Sequence, residues 1–243
     1  MKRQAAFGIL GLLLLALMVS TGFAQDASAI IEKMLDAQGG RKLLESIKDS
    51  TSRAEMEIPM YGVSGTGIMY LKEPNKTRLD MEFQGMMMTQ ASDGETAWMI
   101  NPQTGATEEM PAELAEVMKD SAYGNAAFLH PEKYGITYEF KGKESIDGRE
   151  YLVLERIMPS GYPISYYIDS ETYLLYKTKQ QSYDEMTAEI TEEAFMSDYK
   201  AVDGVMTAHA ITISRDGTEY VILTITEVSF NTGLEDSFFE MGK

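Results

Sequence analysis

The 243-residue sequence predicts a mainly β (α+β) fold: a curved antiparallel sheet of about eleven strands that forms an incomplete β-barrel with a helical lid or plug. Three observations carry this reading. Apolar and polar residues alternate over many short segments, Asp-Gly pairs recur between those segments, and no linker, fixed-period repeat or low-complexity tract divides the chain. A long twisted antiparallel sheet curls, and amphipathic helices can bury their apolar sides in its open face.

The elements follow in order. Lys2 and Arg3 precede an apolar run from Ala5 to Val19, and Ser20, Thr21 and Gly22 lead to Phe23-Ala24. This is the pattern of a secretory signal cleaved after Ala24, and the run is shorter than the about 20 residues of a membrane-spanning helix. Residues 1–24 are therefore expected to be a signal peptide and residues 25–243 one domain. Loss of Lys2 and Arg3 would take the formal charge of −17 to −19. Asp26 or Ser28 is placed to cap a helix with apolar positions Ile30, Ile31, Met34 and Leu35; Gly39-Gly40 interrupts it and Leu43, Leu44 and Ile47 renew the period.

From there the period is two. Ala54, Met56, Ile58 and Met60 alternate with charged or small residues, as do Leu79, Met81 and Phe83. Asp93-Gly94, Asp147-Gly148, Asp203-Gly204 and Asp216-Gly217 favour tight hairpin turns, and Pro74-Asn75 makes a further reversal. Pro111 is placed to open a helix through Leu114, Val117 and Met118. Strand candidates follow near 136–146, 149–157, 164–169, 173–182, 186–197, 207–215 and 218–230, for a total of roughly eleven or twelve.

Composition narrows the function. With no Cys there is no disulfide, no thiolate metal site, no cysteine nucleophile and no cysteine to acylate. The charge of −17 opposes binding to phosphate backbones, so nucleic acid is not an expected partner. The two histidines, His130 and His209, lie outside any motif that supplies an acid or nucleophile, and phosphate-cradling, zinc-protease and calcium-loop patterns do not occur. The expectation is a protein that is not an enzyme and uses no cofactor. Val63-Ser64-Gly65-Thr66-Gly67 lies in a strand pattern and reads as a place of close backbone packing. Eighteen methionines, Met86-Met87-Met88 among them, fit either a core or an adaptable apolar cavity.

The segment Gly65 to Met81, with Pro74-Asn75 and Arg78, followed by Ser92-Asp93-Gly94, Trp98 and Asn101-Pro102, resembles the periplasmic lipoprotein carriers LolA and LolB. Ala37-Gln38-Gly39-Gly40 and the ending Phe230-Asn231-Thr232-Gly233-Leu234-Glu235-Asp236-Ser237-Phe238 are similar to the wider group of outer-membrane lipoprotein-sorting proteins. The resemblance implies a periplasmic carrier that is soluble rather than membrane-anchored, with an apolar cavity for the acyl chains of lipoproteins or other lipids. It also implies an inner-membrane loading complex, an outer-membrane acceptor, and a lid formed by residues 27–48 and 111–128. Arg78 stands where relatives often carry Arg and is expected to be a ligand-binding residue, whereas Glu73 replaces the basic residue that commonly precedes Pro-Asn. Two other readings share the fold: a lipid-sensing envelope regulator similar to half of RseB, and a non-catalytic accessory subunit whose hollow is filled by its own side chains. As apolar members of alternating strands, Met81, Phe83, Trp98, Ile100, Phe140 and Ile168 are the expected cavity wall, and a register slip of one residue would turn each to the other face.

Overall fold

The computed structural model describes residues 19–184 and 188–242, with side chains from Ala27 onward. The basic start and most of the apolar run of the expected signal lie outside the described residues. Helix α1 spans Val19–Gln38 and α2 spans Arg41–Ser46. The first helix thus begins ahead of Asp26 and Ser28, neither of which caps it; no proline interrupts the preceding segment. Its buried positions Ala27, Ile30, Ile31, Met34 and Leu35 fall on one stripe, as their spacing requires, and the break at Gly39-Gly40 lets Leu44 and Ile47 join the same core.

Thirteen strands form one antiparallel sheet. They are β1 (Asp49–Ile58), β2 (Val63–Lys72), β3 (Lys76–Phe83), β4 (Met86–Ser92), β5 (Ala97–Ile100), β6 (Thr107–Glu109), β7 (Thr137–Ile146), β8 (Arg149–Ile157), β9 (Pro163–Asp169), β10 (Leu175–Tyr183), β11 (Glu189–Val202), β12 (Val205–Arg215) and β13 (Thr218–Phe230). Their spatial order is β6-β5-β4-β3-β2-β1-β13-β12-β11-β10-β9-β8-β7, curved and not closed into a barrel. The count exceeds the expected eleven or twelve in part because β6 is three exposed residues, Thr107-Glu108-Glu109, which carry no apolar alternation. Strand β11 runs on to Val202, beyond the expected 197, because Asp198, at φ 52°, breaks the alternation that marks its first part. At 147–148, 203–204 and 216–217 the Asp and the Gly both have positive φ, as a two-residue hairpin turn requires. Asp93 instead folds its side chain back, its Oδ1 accepting the Glu95 and Thr96 N–H groups at 2.9 and 2.8 Å.

Because β6 and β7 lie at opposite edges, the chain between them must cross the sheet. It does so through α3 (Ala112–Ser121), α4 (Ala126–Leu129) and a 3-10 turn at Pro131–Tyr134. Helix α1 packs on β7 and β12, and α3 touches both β5 and β10. The main core joins α1 and α2 to Leu152, Leu154, Ile164, Tyr166, Ile168 and Val205.

Register fixes the two faces. Ser50 pairs with Leu71 and Phe230, and Leu71 with Thr77, so Leu79, Met81 and Phe83 share the face that carries the helices. A second cluster closes the far end of that face: Met56, Phe83 and Val221, with Met81, Met88, Ile213 and Leu223 packed on them. Gly65 and Gly67 make this possible, since a β-carbon at either would strike Phe83 or the Met56 thioether. Met69, between the two clusters on the same face by its register with Leu79, stays 39% exposed, so the face is not filled along its whole length.

The opposite face is covered at the start of the sheet by the C-terminal tail. Arg78 stacks 4.4 Å from the Phe238 ring and 5.8 Å from Trp98, donates to the Phe238 carbonyl at 3.2 Å, and holds Asp80 at 3.0 Å. The Trp98 indole N–H donates to the Phe239 carbonyl at 2.8 Å, and Phe239 is fully buried. The Asp49 carboxylate accepts the Thr232 N–H (2.6 Å), the Thr232 hydroxyl (2.8 Å) and the Gly233 N–H (3.1 Å). Replacing Trp98 by Phe leaves the Phe239 carbonyl buried without its donor, a loss of about 1–3 kcal/mol. Urea unfolding followed by far-ultraviolet circular dichroism is expected to show a lower midpoint with unchanged slope.

Candidate functional site

Two cavities lie between the helices and the sheet. The first, of about 360 Å³, is lined largely by apolar groups, among them Leu44 of α2, Ile47 just after it, Leu71 of β2, Phe128 of α4, Tyr166 of β9 and Val205 of β12. The second, of about 590 Å³, is lined by Leu44, Glu45, Ile47, Lys48, Glu73, Pro74, Ala126, Leu129, His130 and Tyr134. Both volumes fall in the range of small-molecule sites, about 300–1,000 Å³. Leu44, Ile47 and Glu73 belong to both linings.

Both helices of the covering crossover are tied down by specific polar contacts. Arg156, 1% exposed, donates from Nη2 to the Asp120 carbonyl at 2.7 Å, placing a cation at the C-terminal end of α3. The Ser160 hydroxyl donates to the Asp120 carboxylate, and burial pushes that carboxyl above its ordinary pKa. The Glu73 carboxylate accepts the Asn125 N–H at 2.7 Å and the Ala126 N–H at 3.0 Å, so it holds the start of α4. Gly124 is required there: a β-carbon would stand 2.7 Å from Glu73 Oε1. Arg41 donates to the Leu129 carbonyl at 2.8 Å at the other end of α4, and the Tyr138 hydroxyl donates to the Ala127 carbonyl at 3.2 Å. Burial raises Glu73 above its ordinary 4.5, against the two N–H groups and the Lys48 charge, which lower it.

The seven sequence-predicted residues separate by face. Ile168, fully buried, and Phe140 pack in the main core, and Met81 and Phe83 in the far cluster, all on the helix-bearing face. Trp98 and Arg78 lie on the opposite face under the tail, because Trp98 pairs with Ala91, Ala91 with Arg78 and Arg78 with Tyr70. Ile100, two residues beyond Trp98, shares that face. None of the seven lines either cavity. Many of the residues that do line them come from strand ends, turns and short helices, where period-two alternation carries no signal, although Tyr166 and Tyr199 lie within strands. Glu73 was visible in the sequence only as a departure from a resembling pattern. Among the described residues, no three His, Asp or Glu side chains are grouped to hold a metal, and no helix is long and apolar enough to cross a membrane.

A family model described as "Uncharacterized protein" matches residues 68–243. No curated protein matches the sequence. Three solved structures share the fold at a TM-score of 0.58. A DUF1329 family protein from Desulfovibrio piger ATCC 29098 is 16% identical, with 88% of this chain and 97% of that chain covered. A domain from Vibrio parahaemolyticus named for outer membrane lipoprotein sorting is 19% identical, with 89% and 97% covered. A LolA superfamily protein from Nitrosomonas europaea is 14% identical, with 90% and 97% covered. At these identities the likeness is one of fold, and the fold is LolA-like, as the resemblance implied.

The Glu73 environment sets a pH dependence. A carboxyl with a higher pKa folded than unfolded contributes stability below its unfolded value and loses it as pH rises through the folded value. The melting temperature of the wild type minus that of Glu73→Gln is therefore expected to fall as pH rises from about 4.5, the unfolded value, toward neutrality. A difference that grows over that interval contradicts the assignment.

Proposed function

The chain belongs to the family whose model matches residues 68–243, and from its LolA-like fold and its apolar cavity we propose that it is an exported carrier of a lipid tail. The observation that carries this reading is the hollow itself: about 360 Å³ lined by Leu44, Leu71, Phe128, Val205 and Phe230 beneath a tied-down crossover. An aliphatic chain in water costs about 0.8 kcal/mol per exposed methylene, so hiding it is the whole task and no covalent step is needed. Ile168 and Phe140 back the cavity wall in this reading, through their packing with Leu44, Ile47 and Tyr166. Near the lower end of the range for ligand sites, the first cavity suits one tail better than the several chains of a lipoprotein. The leader at 1–24 would deliver residues 25–243 to the periplasm, where an inner-membrane donor and an outer-membrane acceptor would load and unload the tail. Release requires the α3–α4 crossover to lift, which breaks the Glu73 and Arg156 contacts.

The far cluster of Met56, Phe83 and Val221 favours the second reading, an accessory subunit that fills its hollow with its own side chains. Native mass spectrometry of the protein purified from the cell envelope separates the two. Carriage predicts a mass excess of one or more lipids that organic extraction removes; a bare mass, with no binding of N-phenyl-1-naphthylamine, favours the accessory subunit. Leu71→Trp fills the first cavity at an overpacking cost of about 1–3 kcal/mol. It is expected to weaken fluorophore binding at least tenfold while thermal unfolding stays cooperative, and binding equal to wild type would exclude this cavity as the site.

A further inference from the structure

Glu73 stands where the apolar cavity meets the polar one. An amphiphile with its tail among Leu71, Phe128 and Val205 would present its first polar atoms there. The carboxylate spends one acceptor site on each of two N–H groups, at 2.7 and 3.0 Å. An ionised carboxylate offers about four such sites, so it can accept further donors.

The other charged groups in the two linings are already engaged. Lys72 donates to the Leu234 carbonyl at 2.6 Å and lies 2.5 Å from Asp236. Lys48 donates to the Glu45 carbonyl at 2.8 Å, and His130 faces the carboxylates of Glu45 and Glu132 at 3.5 and 3.9 Å. Asp49 is taken up by residues 232–234 of the tail. A ligand head at the junction therefore meets an anion with spare acceptor capacity, while Lys48, whose ammonium is held by a carbonyl and not by a carboxylate, acts on Glu73 through its charge without occupying those acceptor sites. The balance of 38 acidic against 21 basic residues adds a long-range field of the same sign.

Granting the carrier reading, we infer that the site selects amphiphiles with one aliphatic tail and an ammonium-bearing head, seats that head against Glu73, and disfavours tails that end in a carboxylate. A carboxylate head placed there would face a like charge in a partly desolvated site, where neither ion is well hydrated. An ammonium supplies three donors and neutralises the carboxylate.

The test compares two ligands of equal tail length, dodecylamine and laurate, each below its micellar concentration at pH 8, as competitors for N-phenyl-1-naphthylamine bound to the protein. Dodecylamine is expected to displace the fluorophore at a concentration at least tenfold lower than laurate. Glu73→Gln should cut that ratio to threefold or less, and Glu73→Lys should invert it. Glu45→Gln, a neutralisation in the second cavity away from the junction, should leave the ratio within twofold of wild type. If the Glu73 variants do not fold, the wild-type ratio decides alone: laurate displacing as well as dodecylamine, or better, overturns the inference while leaving carriage intact. A ratio that falls as far in Glu45→Gln as in Glu73→Gln also overturns it. Failure of the fluorophore to bind at all defeats the carrier reading itself.

Discussion

The structure depends on the ladder between β1 and β13, which pairs Ser50 with Phe230 and Met56 with Leu223. That pairing joins a meander of six strands to one of seven in a single sheet. So many twisted antiparallel strands curl. It also puts β6 and β7 at opposite edges, so that the segment between them has no route except across the sheet. The covering of the hollow is thus a consequence of strand order, and α1, α2 and the crossover need only supply apolar sides to bury. Both edges are guarded: β6 ends in Glu108-Glu109, and β7 carries Lys141 and Lys143 paired with Glu155 and Glu150.

Tails and crossover are fastened by charged groups on backbone atoms. Asp49 and Glu73 collect N–H groups, while Arg78, Arg156 and Lys72 satisfy carbonyls. Such contacts are directional, so they fix where a segment sits, and in the crossover they add to the apolar burial of Ala127, Phe128 and Leu129. The apolar clusters hold α1 and the far end of the face, and the main one takes in Leu129 and Phe128 of α4 as well. The main core reaches the first cavity through Leu44, Ile47, Tyr166 and Val205, so that hollow lies between the apolar core and the crossover.

Much of this was legible in the sequence. The stripe Ile30, Ile31, Met34 and Leu35, the strand boundaries of β7, β8 and β13, the three hairpins with paired positive φ, and the helix after Pro111 all follow from local periodicity and turn chemistry. The site was not legible. Alternation identifies residues that face the same way within one strand, and it does not say which of two faces is hollow or where along it the side chains stop filling space. Trp98 and Arg78 stand out in the sequence because they anchor the tail through Phe238 and Phe239, contacts 141 and 160 residues away that no local pattern reveals. Glu73 signals itself only as an acid where a basic residue commonly precedes Pro-Asn. Residues such as Leu44, Leu71 and Val205 read as ordinary core until the cavity between them is seen.

The central claim is that the space beneath the crossover accepts an aliphatic chain. Methyl-selective nuclear magnetic resonance of Ile, Leu and Val side chains during titration with a twelve-carbon amphiphile tests it most directly. The account predicts saturable shifts at Leu44, Ile47, Leu71 and Val205, with Ile58 and Val221 in the far cluster little changed. Shifts confined to solvent-exposed methyls, or a cavity that stays silent while the far cluster responds, would contradict it.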